Sequence, residues 1–470
     1  MSKFIEGDNR YQTTLFPEKL DDFVPEDSAV RVVEMFVEHL DISGLGFKAE
    51  PAETGRPGYH PRTMLKIYIY GYLNQIYSSR KLEKEASRNV ELMWLTQRLA
   101  PDFKTIADFR RDNGEAIRLV CREFVMLCRK LDLLTETLVA VDGSKFKAVN
   151  NRDKNFTRAK MKRRIEEVDA SIERYLSLLD DTDDQTSVAE KQSIQDKLDA
   201  MQEEMDRLKK LEVRMLEAPD KQVSLTDPDA RSMKCRGNGV VGYNLQTVVD
   251  ANHHLIIAHE VSSDGSDRAQ LHNMSLQAKE VLGADNIQVL ADRGYYSGKE
   301  LLACERDNID AIVPNSRTSN NKALGLFDRR HFIYKADDDE YECPAGERLS
   351  RRTKMNQNGM LMHRYWSSNC GQCHLKPQCS TGKERRVSRW EYEDTLERAQ
   401  KRLDSLPTAM SVRRAVVEHP FGTLKQWMGS NHFLTKTRKR VSTEASLHVL
   451  SYNMKRVMKI VGTERLIEAM

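Results

Sequence analysis

The segment that decides the fold is LVAVDGS, residues 138–144. Its first four residues form a short, wholly apolar run that is typical of a buried central strand, and the run ends directly at Asp142. A second segment, IQVLADRG at 287–294, repeats the pattern and ends at Asp292. We predict two strands, each followed by a carboxylate. If these strands are neighbours in one sheet, both aspartates lie at the same sheet edge.

The remaining strands and helices follow from the same periodicities. They are a hairpin of strands at 243–249 and 255–258, a helix at 267–282, a helix capped by Ser297, and a strand at 311–313. The chain thus runs strand, helical insertion, hairpin, helix, strand, helix, strand. This order predicts an α/β layer fold with a mixed sheet.

Two long amphipathic helices interrupt this pattern after the first strand. Apolar residues recur at helical spacing between Ile165 and Leu179, and again between Ile194 and Met215, with a polar break at 180–184. We predict a helical-hairpin insertion at 155–218. Packing alone explains its apolar stripes.

The region 1–134 is predicted to be a helical N-terminal domain. Pro61 can open one helix, a second short helix covers 82–90, and Thr105 or Asp108 could cap a third. Small helical bundles often bind DNA, but this periodicity is equally typical of any all-α domain. DNA binding by this region is therefore a hypothesis.

The composition is that of a globular protein. The 470 residues correspond to about three domains. With 39% hydrophobic and 31% charged residues, the chain falls outside the disordered and membrane classes. The N-terminal segment MSKFIEGDNRYQ lacks the apolar core of a signal peptide, and no apolar run approaches the ~20 residues of a membrane span. We therefore expect a cytoplasmic protein with no membrane contact.

The overall charge does not identify a partner, because 74 Lys and Arg residues face 71 Asp and Glu residues and the net charge is +3. Basic residues do cluster at 152–164 and 436–440. Such runs can neutralise nucleic-acid phosphates, but they are also typical of a solvated loop or helix face. They support a role in nucleic-acid binding without establishing it.

A third acid, Glu418, lies in the segment RRAVVEHPFGTLK, residues 413–425. Arg414, Glu418 and Lys425 are spaced so that they share one face of a helix. Pro420 should kink or restart that helix. Taken alone, the pattern also fits an ordinary ion pair on a helix surface.

The three acidic blocks together resemble the bacterial insertion-sequence transposases of the DDE class. The blocks are VDGS at 141–144, ADRGYYS at 291–297 and VEHPFGTLK at 417–425, and the helical region 55–111 resembles the N-terminal domain of the family. The resemblance implies a ribonuclease-H-like catalytic core over 135–315 and 411–460. Related transposases often have a Tyr where this chain has Ser411, so no role is assigned at that position.

The resemblance also implies the chemistry. Asp142, Asp292 and Glu418 would hold Mg²⁺ or Mn²⁺, hard cations that prefer oxygen ligands. Two such ions about 4 Å apart can activate an attacking oxygen and stabilise a departing one at phosphorus. The substrate would be double-stranded DNA, both element ends and target, and pairing of two ends predicts a homodimer. The expected contacts to the DNA backbone are Arg414, Lys425, Arg293 and Lys145.

Two other functions fit part of the pattern. A DNA-binding repressor or inactive remnant needs the helical region and the basic runs but no metal-binding acids. A metal-dependent nuclease needs the acids but does not join DNA ends. Because all three acids are present, the sequence favours the transposase.

A Cys-rich insertion is predicted at 316–410, with thiols at Cys343, Cys370, Cys373 and Cys379. Four thiolates suffice for a tetrahedral structural zinc site. The Cys370–Cys373 spacing is usual for chelation, whereas Cys343 and Cys379 are far apart in sequence. His374 could replace one thiolate. The alternative is a set of reduced thiols in a small subdomain.

Overall fold

The computed structural model describes residues 19–48, 57–135, 137–150, 152–180, 188–218, 220–235, 238–315, 321 and 323–470. Residues 181–184 of the predicted polar break lie outside this set, as do residues 55 and 56 of the N-terminal motif. Within the described ranges, no helix is both long enough and apolar enough to cross a membrane.

The described N-terminal region is helical. Its helices are α1 (Ala29–Glu38), α2 (Pro61–Leu73), α3 (Ser79–Ala86), α4 (Val90–Leu95), α5 (Phe103–Asp112) and α6 (Gly114–Lys130). Helix α2 begins at Pro61 as predicted, with the His60 side chain accepting the Arg62 N–H. The predicted cap of α5 is wrong, because Asp102 accepts the N–H groups of Lys104 and Thr105. The helix therefore begins before Thr105.

The part of the chain that follows these helices is built around one mixed sheet. Its strands, with a small accessory pair, are β1 (Leu138–Lys147), β2 (Asn155–Thr157), β3 (Gln222–Ser224), β4 (Arg231–Cys235), β5 (Asn238–Asp250), β6 (Ile256–Ser262), β7 (Ile287–Leu290) and β8 (Ile309–Ile312). The order is β4-β5-β1-β7-β8, and β6 also pairs with β5. Strands β1, β7 and β8 are parallel, whereas β5 is antiparallel to its partners. This is the mixed sheet of a ribonuclease-H-like core.

Strand β1 is longer than the sequence predicts and continues five residues past Asp142. Its parallel pairing with β7 covers only residues 138–140, but its antiparallel pairing with β5 extends from Val139 to Lys147. The prediction that the strand ends at Asp142 is therefore wrong. Asp142 instead lies just beyond the point where the parallel partner stops, while Asp292 follows the end of β7.

Four helices accompany these strands: α7 (Arg158–Asp180), α8 (Val188–Glu217), α9 (Leu271–Leu282) and α10 (Gly298–Arg306). Helices α7 and α8 pack together around an apolar cluster that includes Met161, Val168, Met205 and Leu208. The β2–β3 pair lies at the base of this hairpin. Helix α9 begins at Leu271 rather than at Asp267, which leaves Asp267 in the preceding loop.

A second, five-stranded antiparallel sheet forms the cysteine-bearing insertion. Its strands are β9 (Ile333–Lys335), β10 (Glu340–Glu342), β11 (Arg348–Gln357), β12 (Met360–Trp366) and β13 (Val387–Trp390), in the order β13-β12-β11-β10-β9. Helices α11 (Lys376–Cys379) and α12 (Glu393–Ser405) complete it. Helix α12 packs against α10 and β8, and so connects the insertion to the central sheet.

The C-terminal helices return to the central sheet and to the N-terminal region. They are α13 (Ala409–Gly422), α14 (Arg438–Val461) and α15 (Thr463–Glu468). Helix α14 packs against α2, α6 and β6, and a single hydrophobic cluster joins these elements. The boundary predicted at residue 134 therefore falls within a continuous core.

Helix α13 does not end or restart at Pro420. It continues to Gly422 and is followed by a π-helical turn, Thr423–Trp427. Pro420 has no N–H to donate to the Val416 carbonyl four residues earlier. The Nδ1 atom of His254 lies 3.4 Å from that carbonyl oxygen, so another side chain takes the place of the missing donor.

Candidate active site

The structure brings Asp142 and Asp292 together around one guanidinium group. Atom Nη2 of Arg413 lies 2.6 Å from Oδ1 of Asp142 and 3.9 Å from Oδ2 of Asp292. The Arg413 side chain is 14% exposed. A cation thus lies between the two carboxylates that were predicted to share a metal ion.

Local backbone geometry orients both aspartates. Oδ1 of Asp142 accepts the Gly143 N–H at 2.9 Å, and Oδ1 of Asp292 accepts the Gly294 N–H at 2.7 Å. A Cβ atom on residue 294 would lie only 2.8 Å from that Asp292 oxygen. Glycine at 294 therefore allows the carboxylate to cap the short helix that follows β7.

Burial dominates the electrostatics of Asp142. It raises the pKa of this carboxyl from its ordinary value to about 6, although the neighbouring Arg413 opposes the rise. The negative charges of Asp292 and Asp267 raise the pKa further. The ionised form of Asp142 is therefore costly in this structure, and additional positive charge would stabilise it.

Asp267 is a third carboxylate at this site, which the sequence motifs did not indicate. Its Oδ1 accepts hydrogen bonds from Nδ2 of Asn244 and Nε2 of Gln246, both at 2.7 Å, and Lys145 forms an ion pair with its Oδ2 at 3.3 Å. The available signal was weak, since Asp-Gly-Ser-Asp at 264–267 is an ordinary loop sequence.

Glu418 lies on α13, the helix that carries Arg413, but on another face. Val416 and Val417 are buried against the core, and Arg413 lies one turn before them on the same face. Arg414 and Glu418 are exposed. In the described part of the chain, Glu418 makes no hydrogen bond or ion pair with the two aspartates. The phase of the apolar positions in α13 could have identified Arg413 as the inward-facing arginine.

The four residues expected to contact DNA fall into two pairs. Arg293 and Arg414 are exposed. Lys425 instead donates from Nζ to Oγ of Ser144 at 2.6 Å and to the Lys145 carbonyl at 3.0 Å, and Lys145 pairs with Asp267. Both lysines therefore have partners within the protein.

The oxygen-rich donor set at the aspartates fits a hard divalent cation. Among the described residues, no three His, Cys, Asp or Glu side chains already form a metal cage. The position of the Arg413 guanidinium nevertheless shows that both aspartates are directed towards a shared positive charge.

The four cysteines of the insertion surround one small cavity: Cys343, Cys370, Cys373 and Cys379 all line it. Burial raises the pKa of the Cys379 thiol above its usual value, and the other three cysteines add to this rise. Segments far apart in sequence therefore place these thiols around one cavity, although in the described part of the chain no three of them are grouped closely enough to hold a metal ion.

Two family models match the chain. Residues 211–454 match "Transposase DDE domain", a match that includes Asp292 and Glu418, and residues 18–112 match "Transposase domain (DUF772)". No curated protein matches. Among solved structures, the cryo-EM structure of the piggyBac transposase synaptic complex with hairpin DNA matches at 8% sequence identity. The match covers 94% of this chain and 79% of that one, with a TM-score of 0.32. Because the DDE match covers more than half of its length, the chain belongs to the insertion-sequence transposases with a DDE domain.

Proposed function

We propose that this transposase cuts the ends of its insertion element and joins the freed 3′ ends to target DNA, with Asp142, Asp292 and Glu418 as the catalytic carboxylates. The observation that carries the proposal is the pair of aspartates directed at one cation from neighbouring parallel strands. Strand pairing places both aspartates at the same edge of the sheet before any ligand binds. The repressor alternative gives no reason for a buried carboxylate to be kept at this edge.

Mg²⁺ or Mn²⁺ bound by these carboxylates would activate the attacking oxygen and neutralise charge on the departing one. Asp142 and Asp292 hold this positive charge at the sheet edge. Arg413 lowers the cost of keeping Asp142 ionised until then, because its guanidinium group opposes the effect of burial on the Asp142 pKa. The first reaction uses water as nucleophile, and the second uses the 3′-hydroxyl of the element end.

Glu418 joins the site through a rearrangement of α13 when DNA and cation bind. Arg413 and Glu418 are five positions apart, which corresponds to a rise of ~7.5 Å and an angle of about 140° around the helix. The helix has two places where it can adjust: the unmade hydrogen bond at Pro420 and the π-helical turn at 423–427. Bringing Glu418 towards the aspartates therefore requires α13 to turn about its axis or shift along it, with the change taken up at these two places.

DNA binds across the edge that carries the aspartates. The exposed side chains of Arg293 and Arg414 contact its phosphates. Lys145 and Lys425 support this surface by holding β1 in place through Asp267 and Ser144. Two protomers pair two element ends, which makes the active species a homodimer.

The cysteine insertion binds a structural zinc ion through Cys343, Cys370, Cys373 and Cys379. Their shared cavity supports this proposal, because four thiolates satisfy the tetrahedral preference of Zn²⁺. Metal analysis of the purified protein should find about one zinc per chain, and Cys370→Ser should lower both zinc content and Tm. Full zinc content in that variant would exclude Cys370 as a ligand.

The proposed reaction can be tested with labelled element ends, target DNA and Mn²⁺. We expect wild-type protein to cleave and join, and Asp292→Asn to do neither while still binding DNA. Asp285→Asn, an exposed aspartate in the loop before β7, is the matched control and should behave as wild type. Cleavage without joining would favour a nuclease, and binding without cleavage by the wild type would favour a repressor.

A further inference from the structure

Asp267 is held in a network of polar contacts beside the two aspartates, although it belongs to neither strand. Asn244 and Gln246, which lie two residues apart on the same face of β5, both donate to its Oδ1 at 2.7 Å. Lys145 on β1 pairs with its Oδ2 at 3.3 Å. Both oxygens of the carboxylate are therefore already engaged, so its geometry is that of a supporting group rather than of a metal ligand.

The same network continues to the segment that carries Asp292. Oε1 of Gln246 accepts a hydrogen bond from the hydroxyl of Tyr295. Tyr295 is fully buried and ends the short helix that Asp292 caps. A chain of contacts thus links Asp267 through Gln246 to the turn that follows β7.

The network is also packed directly against the backbone next to Asp142. Gly143 is paired with Gln246 across the β1–β5 ladder. A Cβ atom at residue 143 would lie 2.3 Å from Nε2 of Gln246 and 2.7 Å from Oδ1 of Asp267. Only a glycine leaves room for these groups, so a shift of Asp267 would be transmitted to the residue that follows Asp142.

We propose that Asp267 is a positioning residue that fixes Asp142 relative to Asp292 and thereby sets the affinity of the site for its divalent cation. The proposal rests on the metal site of the proposed function. Its physical basis is that the Asp267 carboxylate contacts β1 and β5 directly and is linked through Gln246 to Tyr295 in the turn after β7. Without its charge, the Lys145 ammonium group and the Asn244 and Gln246 amides lose their shared acceptor, and the separation of Asp142 and Asp292 becomes variable.

The test compares Asp267→Asn with Asp264→Asn, an exposed aspartate three residues earlier in the same loop. Electron paramagnetic resonance of free Mn²⁺ measures cation binding directly, and the Mn²⁺ dependence of end cleavage gives a second readout. Supporting groups around metal sites typically contribute 10–100-fold to affinity, so Asp267→Asn should weaken Mn²⁺ binding by about 10-fold or more. Its cleavage rate at saturating Mn²⁺ should stay within a few-fold of wild type, and Asp264→Asn should leave both unchanged.

A second variant, Tyr295→Phe, tests the proposal independently in case Asp267→Asn does not fold. Tyr295→Phe removes one hydroxyl from the other end of the network and should weaken Mn²⁺ binding in the same direction, by about fivefold for one hydrogen bond. Wild-type Mn²⁺ affinity in both variants would overturn the proposal, as would equal weakening in Asp264→Asn. Loss of cleavage by Asp267→Asn at every Mn²⁺ concentration would also overturn it, because Asp267 would then act as a ligand. If wild-type protein itself neither binds Mn²⁺ nor cleaves, the proposed function fails first.

Discussion

The two aspartates are positioned by a sheet, whereas Glu418 is positioned by a helix. Only the aspartates already face a shared positive charge in this structure. Asp142 and Asp292 lie on or directly after strands of one sheet and already share a cation, Arg413. Glu418 lies on the exposed face of α13, a helix followed by a π-helical turn. Backbone pairing on both sides fixes β1, whereas a helix packed through one face can turn. This contrast suggests that the sheet keeps two carboxylates in place and the helix delivers the third when substrate is bound.

The largest predicted effect is the loss of DNA cleavage on substitution of Asp142, the aspartate on β1. Asp142→Asn should reduce DNA-end cleavage by about 1000-fold, since loss of a metal ligand removes several kcal/mol of charge stabilisation. A gel-based cleavage assay with saturating Mn²⁺ would measure it. DNA binding should persist in the same preparation. Cleavage at more than a tenth of the wild-type rate would remove Asp142 from the catalytic set.

Substitution of Glu418, the carboxylate on α13, should reduce activity without reducing stability. Glu418→Gln is expected to reduce cleavage by on the order of 100-fold or more, for the same electrostatic reason. Because Glu418 is exposed and has no partner in the described structure, the free energy of unfolding without DNA should change by less than about 0.5 kcal/mol. Thermal unfolding and cleavage assays on one preparation test both statements. A large loss of stability would mean that Glu418 is already engaged in the free protein.

The pH dependence of stability sharpens the comparison for Asp142. Its pKa is raised to about 6 in the folded protein, so the folded state favours the protonated carboxyl. Asp142 therefore destabilises the metal-free protein progressively as the pH rises from about 4 to 6 and above. Asp142→Asn should be more stable than wild type at pH 8, by on the order of 3 kcal/mol, and this difference should disappear near pH 4. Denaturant unfolding at both pH values provides the measurement, and a constant difference would contradict the assigned cause.

The smallest predicted effect separates two adjacent arginines on α13. Arg414→Gln should reduce the slope of log Kd against log salt by about 1, because an exposed arginine that neutralises one phosphate is lost. Arg413→Gln should leave that slope unchanged, since its side chain is turned inward to Asp142. Salt titrations of DNA binding by the two variants would distinguish them. A wild-type slope in Arg414→Gln would show that Arg414 does not contact the DNA backbone.

Local sequence signals determined most strands of the central sheet and the identity of the aspartates, but not β4. Alternating and fully apolar runs are direct consequences of how strands are buried, so β1, β5, β7 and β8 could be found from residues 138–313 alone. The two aspartates stood out because each follows such a run. The DDE family followed from the order of the acidic blocks and agrees with the match over residues 211–454.

Tertiary structure alone decided which side chains meet. Three contacts join segments that are distant in sequence: that of Arg413 with the two aspartates, that of Asp267 with Asn244 and Gln246, and the shared cavity of the four cysteines. Local periodicity fixes which face of an element is buried, but it carries no information about which distant element covers that face. The same reason explains why the hydrophobic cluster crosses residue 134: helix α14, more than three hundred residues later, packs between α2, α6 and the sheet.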